Sequence, residues 1–196
     1  EMASRLGYFL RETPFALNAE SRDNLKKALL TSRFVGQKYD FPISLNGRWP
    51  LWGGGLAQGV MGFGYAAQLF NPIDPELAAA WKRLGDFNAD VIKSRFVEIK
   101  YQGNTFTSTP GKVEDALGFG KFAAEPEKTP QGHLALPYAG ATFHRRGETL
   151  AAIKGNSNFI WDYEKESCGQ LGRYLGRGSI TIYPDSLKNA AISYQG

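Results

Sequence analysis

Ala141-Thr142-Phe143-His144-Arg145, then Gly147, then Thr149-Leu150-Ala151-Ala152-Ile153-Lys154 is the stretch whose reading decides the fold. Two short runs flank a glycine, and on a strand side chains two apart share a face, so the segment reads as a β-hairpin. Downstream, Phe159-Ile160-Trp161-Asp162-Tyr163-Glu164 and Ser179-Ile180-Thr181-Ile182-Tyr183 keep the period of two. Four or five strands from Gly132 onward with no helix between them imply an antiparallel sheet.

Upstream the period lengthens. Met2, Leu6, Phe9 and Leu10 fall at helical spacing, and the run stops at Thr13-Pro14, where proline disfavours a helical predecessor. A second helix is expected from Ser21, read as its N-cap, through Leu25, Ala28, Leu29 and Ser32. A third covers Leu56 to Leu69 and is rich in glycine and alanine, which weakens helix propensity and permits close approach between helices. A fourth opens on Asp74-Pro75-Glu76, which combines a cap, a first-turn proline and a first-turn acid. Phe96 to Tyr101 fits either a strand or the end of a helix, and Ala123 to Pro130 has a linker's composition. Helices come first and a sheet second, an α+β order.

Composition narrows the function classes. Of 196 residues, 42% are apolar, which excludes wholesale disorder. No apolar run reaches the ~18 residues of a membrane helix, so no membrane partner is expected. A single cysteine, Cys168, excludes an internal disulfide framework and a cysteine-built zinc site, and His133 and His144 are too few for a histidine-rich one. Neither a P-loop nor a Gly-x-Ser-x-Gly elbow is present. The net charge of +4 suits an acidic partner.

Three segments carry candidate chemistry. Ser44-Leu45-Asn46-Gly47-Arg48-Trp49-Pro50-Leu51-Trp52 followed by Gly53-Gly54-Gly55 holds one arginine and two indoles among glycines. Indoles stack on sugar rings or on bases, a guanidinium fork binds carboxylate or sulfate, and glycines admit a ligand close to the backbone. The same residues also fit a tight loop with its tryptophans in a core. Trp161 to Glu166, with Gly172-Arg173-Tyr174 beyond it, puts Asp162 and Glu164 on one strand face, suited to acid–base work or to solvation. Arg145, Arg146, Arg173 and Arg177, interleaved with Phe143 and Tyr174, suggest a basic aromatic surface. No nucleic-acid motif accompanies it, and nucleic acid is not the expected partner.

Four groups of residues, in order along nearly the whole chain, resemble the chondroitin ABC lyase branch of polysaccharide lyase family eight. They are Leu10-Arg11-Glu12-Thr13-Pro14-Phe15 with Asn24-Leu25-Lys26-Lys27-Ala28; Leu45-Asn46-Gly47-Arg48-Trp49-Pro50; Pro130-Gln131-Gly132 with Gly140 to Arg145; and Asn158 to Glu164 with Gly172-Arg173-Tyr174. The resemblance implies the C-terminal helices of an α/α toroid over residues 1–122, a linker over 123–131, and the first strands of an antiparallel β-sandwich over 132–196. It implies β-elimination on a uronic-acid-containing glycosaminoglycan. Arg48 matches the family's active-site arginine and Glu164 its active-site glutamate. Asn46, Trp49, Trp52 and Arg173 become candidates for substrate binding. The family's catalytic histidine and tyrosine match nothing in this chain, which is therefore expected to be a central portion of a longer lyase, inactive alone and partnered by the rest of that polypeptide. No resident cofactor is implied, a structural Ca or Mg is left open, and a secreted or periplasmic location follows from the size of the polymer. A non-catalytic carbohydrate-binding or structural module on the same framework is the alternative.

Overall fold

The computed structural model describes residues 1–38, 41–45, 56, 59–87, 98–101, 104–107, 115, 118–155 and 178–184. Helices and antiparallel sheets make this an α+β protein. By contacts the chain divides into two compact units: Glu1–Thr31 with Ala57–Lys128, and Ser32–Leu56 with Thr129–Gly196.

The first unit holds α1 (Met2–Leu10), most of α2 (Ala19–Val35), α3 (Met61–Ala67) and α4 (Pro75–Phe87). Asp74 caps α4 as expected: its Oδ1 accepts the backbone N–H groups of Glu76 and Leu77 at 3.0 and 2.9 Å. At α2 the cap lies three residues earlier than the sequence suggests. Asn18 Oδ1 accepts the Ser21 N–H at 2.8 Å, so Asn18 satisfies the orphan donor and Ser21 already sits in the first turn.

Small residues set the packing here. A Cβ on Gly64 of α3 would stand 2.2 Å from the Phe119 ring, and one on Gly62 3.2 Å from Glu1 Cα. Phe119 meets Tyr65 and Trp81 edge-on, with centroids 5.0 and 5.4 Å apart. Leu77, Ala80, Trp81 and Leu84 form the buried stripe of α4 at helical spacing. On α1 the buried residues are Ser4 and Gly7, while Met2, Leu6 and Phe9 are exposed. The close-approach face of α1 is thus its small-residue face, not its apolar one.

Glu98–Tyr101 is a strand, β1, paired antiparallel with β2 (Asn104–Thr107). The stretch from Ala123 to Pro130 has no regular structure, yet it is pinned to α4. The Glu127 N–H reaches Ala79 O at 3.2 Å, and its carboxylate lies 2.9 Å from the Arg83 guanidinium.

In the second unit β3 (Gly132–Leu136), β4 (Ala141–Arg146), β5 (Thr149–Lys154) and β6 (Ile180–Tyr183) form one sheet in that order, each antiparallel to the next. The expected hairpin is β4–β5, in register from Ala141↔Lys154 to Arg146↔Thr149. Gly147, at φ +59, takes the left-handed turn position that glycine tolerates. Ala141, Phe143, Leu150, Ala152 and Tyr183 make the core on one face, joined by Val35 and flanked by Phe34, Phe41 and Leu45. Fully burying side chains such as Phe143 and Leu150 contributes about 1.5–3 kcal/mol each.

One expectation is corrected. The pleat sends Phe143 and Arg145 into the core and leaves His144 and Arg146 outside. Neighbours in sequence therefore lie on opposite faces, and Phe143 with Arg145 forms no basic aromatic surface.

Candidate functional site

Phe34, Val35, Phe41 and Leu45 pack with the core face of the sheet. Val35 is buried among Phe143, Leu150 and Tyr183, and the 3-10 turn Ile43–Leu45 brings Leu45 onto the same cluster. The bond between this segment and the sheet is polar. Arg145, 3% exposed, donates Nε and Nη2 to Phe34 O at 3.3 and 3.1 Å, Nη2 to Gly36 O, and Nη1 to Gln37 Oε1 at 2.8 Å. The last carbonyls of a helix lack intrahelical donors and carry the negative end of its dipole. A guanidinium fork placed there satisfies them and is itself offset by them.

Gln37, fully buried, extends the link by donating Nε2 to Glu148 O at 2.7 Å, at the β4–β5 turn. That turn is held from its other side. Gln131 donates to Thr129 O and Gly147 O and accepts the Gly147 N–H, and Thr129 Oγ1 bonds the Glu148 carboxylate. Gly36 is tight for a further reason. A Cβ there would lie 2.5 Å from Leu56 Cδ2 and 3.0 Å from Ser32 O. Leu45 thus packs on the sheet cluster and Leu56 against Gly36.

All six sequence-derived candidates, Arg48, Glu164, Asn46, Trp49, Trp52 and Arg173, lie outside the described residues. Sequence reasoning overlooked Gln37, Gly36 and Leu56, and it read Arg145 as part of a basic surface rather than as a buried link to the end of α2. Strand period alone flags Arg145, since it shares the register of Phe143.

Two further polar groups bear on the chemistry. Tyr65 of the first unit is buried, and its hydroxyl donates to Asp115 Oδ2 at 2.6 Å. Burial, and then the hydrogen bond and charge of the Asp115 carboxylate, push the phenol well above its ordinary value. His133 and His144 are opposite neighbours on exposed positions of β3 and β4, and His133 Nε2 bonds Thr142 Oγ1. Among the described residues no group of three or more His, Cys, Asp or Glu side chains is arranged to hold a metal ion.

Comparison with known proteins gives consistent results. Residues 1–90 match the family model described as "Lyase, catalytic". A chondroitin sulfate ABC exolyase of Bacteroides thetaiotaomicron is 29% identical over 184 residues, covering 92% of this chain and 18% of that protein. A chondroitin sulfate ABC exolyase of Proteus vulgaris is 27% identical, covering 96% of this chain and 17% of its own length. A chondroitin sulfate ABC endolyase of Proteus vulgaris is 25% identical over 92% of this chain and 15% of its own. The chain therefore spans less than a fifth of the relatives it matches.

Proposed function

We propose, for a chain that is chondroitin ABC lyase-like in sequence, that it contributes active-site residues to a polysaccharide lyase cleaving uronic-acid-containing glycosaminoglycans. Chondroitin and dermatan sulfate are the substrates in this reading, with hyaluronan a further one. The observation that carries it is similarity to chondroitin sulfate ABC lyases along 92 to 96% of the chain. Toroid helices for residues 1–122 and the opening strands of a sandwich for 132–196 belong to the same reading.

The chemistry is β-elimination. A base removes the C5 proton of the uronate, the electron pair forms the C4–C5 double bond, and the C4–O bond breaks with protonation of the leaving oxygen. Removing a proton beside a carboxylate adds charge to an anion, so the step needs a fixed positive group. Arg48 supplies it, and Glu164 orients the groups around it. Trp49 and Trp52 offer sugar-stacking faces, while Asn46 and Arg173 bind hydroxyl, carboxylate or sulfate oxygens. The base and acid, a tyrosine and histidine in this family, are supplied by the remainder of the same lyase polypeptide, and the 196 residues alone release no unsaturated ends. A polymer too large to cross an envelope intact places the enzyme outside the cytoplasm, secreted or periplasmic.

Digestion of chondroitin, dermatan and hyaluronan by the full-length protein tests the reading, with unsaturated uronate followed by ultraviolet absorbance. Arg48→Ala is expected to lower kcat about 10²- to 10³-fold with limited loss of binding. An unchanged rate removes Arg48 from the mechanism. Polymer binding with no unsaturated product from the unaltered protein favours the non-catalytic carbohydrate-binding module instead.

A further inference from the structure

His133 and His144 stand directly opposite each other across β3 and β4. Opposed residues of an antiparallel pair point to the same face, with Cβ atoms about 4.5–5.5 Å apart. Leu134 and Phe143, the next pair along, belong to the core side, so both imidazoles lie on the outer face, and both are exposed. Their neighbours on that face are small: Ala135 and Thr142 beside the pair, and Ala151 of β5 opposite His144.

Thr142 bears on which ring nitrogen of His133 is available. Its hydroxyl is bonded to His133 Nε2 and donates to Leu134 O at 3.3 Å. A hydroxyl has one proton to give. With that proton on Leu134 O, His133 Nε2 donates its N–H to Thr142 Oγ1, and the lone pair is left on Nδ1. A ring with one N–H tied to a protein oxygen and its other nitrogen bare is the usual arrangement of a metal-ligating histidine.

We propose that His133 and His144 form a two-imidazole site for a divalent transition-metal ion, zinc above all, with water filling the remaining positions. Neutral imidazole suits zinc, copper and nickel. Calcium and magnesium take oxygen ligands, and the pair's neighbours on this face include no carboxylate, while Arg146 adds a positive charge two residues along β4. A bound ion would tie β3, at the end of the strand order, to the strand beside it. The site uses none of the residues given a part in β-elimination, so it stands or falls apart from that reading.

Zinc titration of the full-length protein by calorimetry tests the site, with Tm recorded for every variant. His133→Ala and His144→Ala, both at exposed positions, are expected to keep the wild-type Tm without zinc and each to lose one equivalent of bound zinc. The double variant should lose no more than either alone, because a single imidazole makes no chelate. Thr142→Val keeps the branched shape without the hydroxyl and should weaken that equivalent about 10-fold. Crystals soaked in zinc should show an anomalous peak about 2.0–2.1 Å from a ring nitrogen of each histidine. Equal zinc binding by wild type and either single variant overturns the inference. So does a double variant that loses two equivalents, since the histidines then hold ions separately. A peak in the crystal without a matching equivalent in solution is binding at crystal concentration only, and overturns it too. Full affinity in Thr142→Val overturns the orienting part given to the threonine.

Discussion

Leu56 occupies the space that a side chain on Gly36 would need: its Cδ2 is 2.5 Å from the position of such a Cβ. Leu56 is almost wholly buried, so it has little room to yield, and Ser32 O closes the other side at 3.0 Å. Gly36→Ala is expected to cost about 1–3 kcal/mol, the usual range for overpacking. In a Leu56→Ala background most of that cost should disappear. Urea midpoints of the four proteins give the coupling directly, and strict additivity would count against the contact.

A comparable exclusion governs the first unit. Gly64→Ala places a methyl group 2.2 Å from Phe119, whose ring is confined between Tyr65 and Trp81. Alanine is the better helix former, which alone would favour the variant by about 1 kcal/mol. The clash should prevail, giving a net loss of Tm. A rise in Tm would show that Phe119 can move aside.

Asp74 serves two partners with different oxygens. Oδ1 caps α4, and Oδ2 lies 2.5 Å from Lys26 Nζ. Asp74→Ala removes both, and loss of the cap alone costs about 0.5–2 kcal/mol. Asp74→Asn keeps an oxygen for the cap and gives up the charge. It should therefore fall between wild type and Asp74→Ala in chemical denaturation.

Lys26 carries the pH dependence of that pair. Burial lowers its pKa, but the hydrogen bond and charge of Asp74, followed by those of Glu76, outweigh burial and raise it above 10.5. The folded state thus holds this proton more tightly than the unfolded chain. The pair's contribution is complete below pH 10.5 and is lost as pH rises through the folded value. The stability difference between wild type and Lys26→Met should stay constant from neutrality to that point and shrink above it. A difference that grows in alkali would contradict the assignment.

Local rules carried the sequence reading furthest where one element decides its own form. Asp74-Pro75-Glu76 begins a helix, and the β4–β5 hairpin follows from its period of two. At α2 the same rule points to Ser21, whereas the residue that caps the helix is Asn18. Met2, Leu6 and Phe9 show helical spacing, but the buried face of α1 is the one that carries Ser4, which Gly62 of another helix approaches closely. Arg145 and Arg146 looked like one basic patch because adjacency in sequence conceals the pleat. Arg48 and Glu164 were legible through family resemblance alone, and they lie outside the described residues. What no local pattern could reveal is the polar link between the end of α2 and the β4–β5 turn, which joins residues over a hundred positions apart, as in the bond from Gln37 to Glu148.

Arginine stays charged throughout the range in which proteins remain folded, and an amide such as that of Gln37 does not titrate at all. The fork on Phe34 O, Gly36 O and Gln37 is therefore blind to acidity. An acid or alkaline limb in a pH profile of this protein would then have its origin in groups other than this clamp.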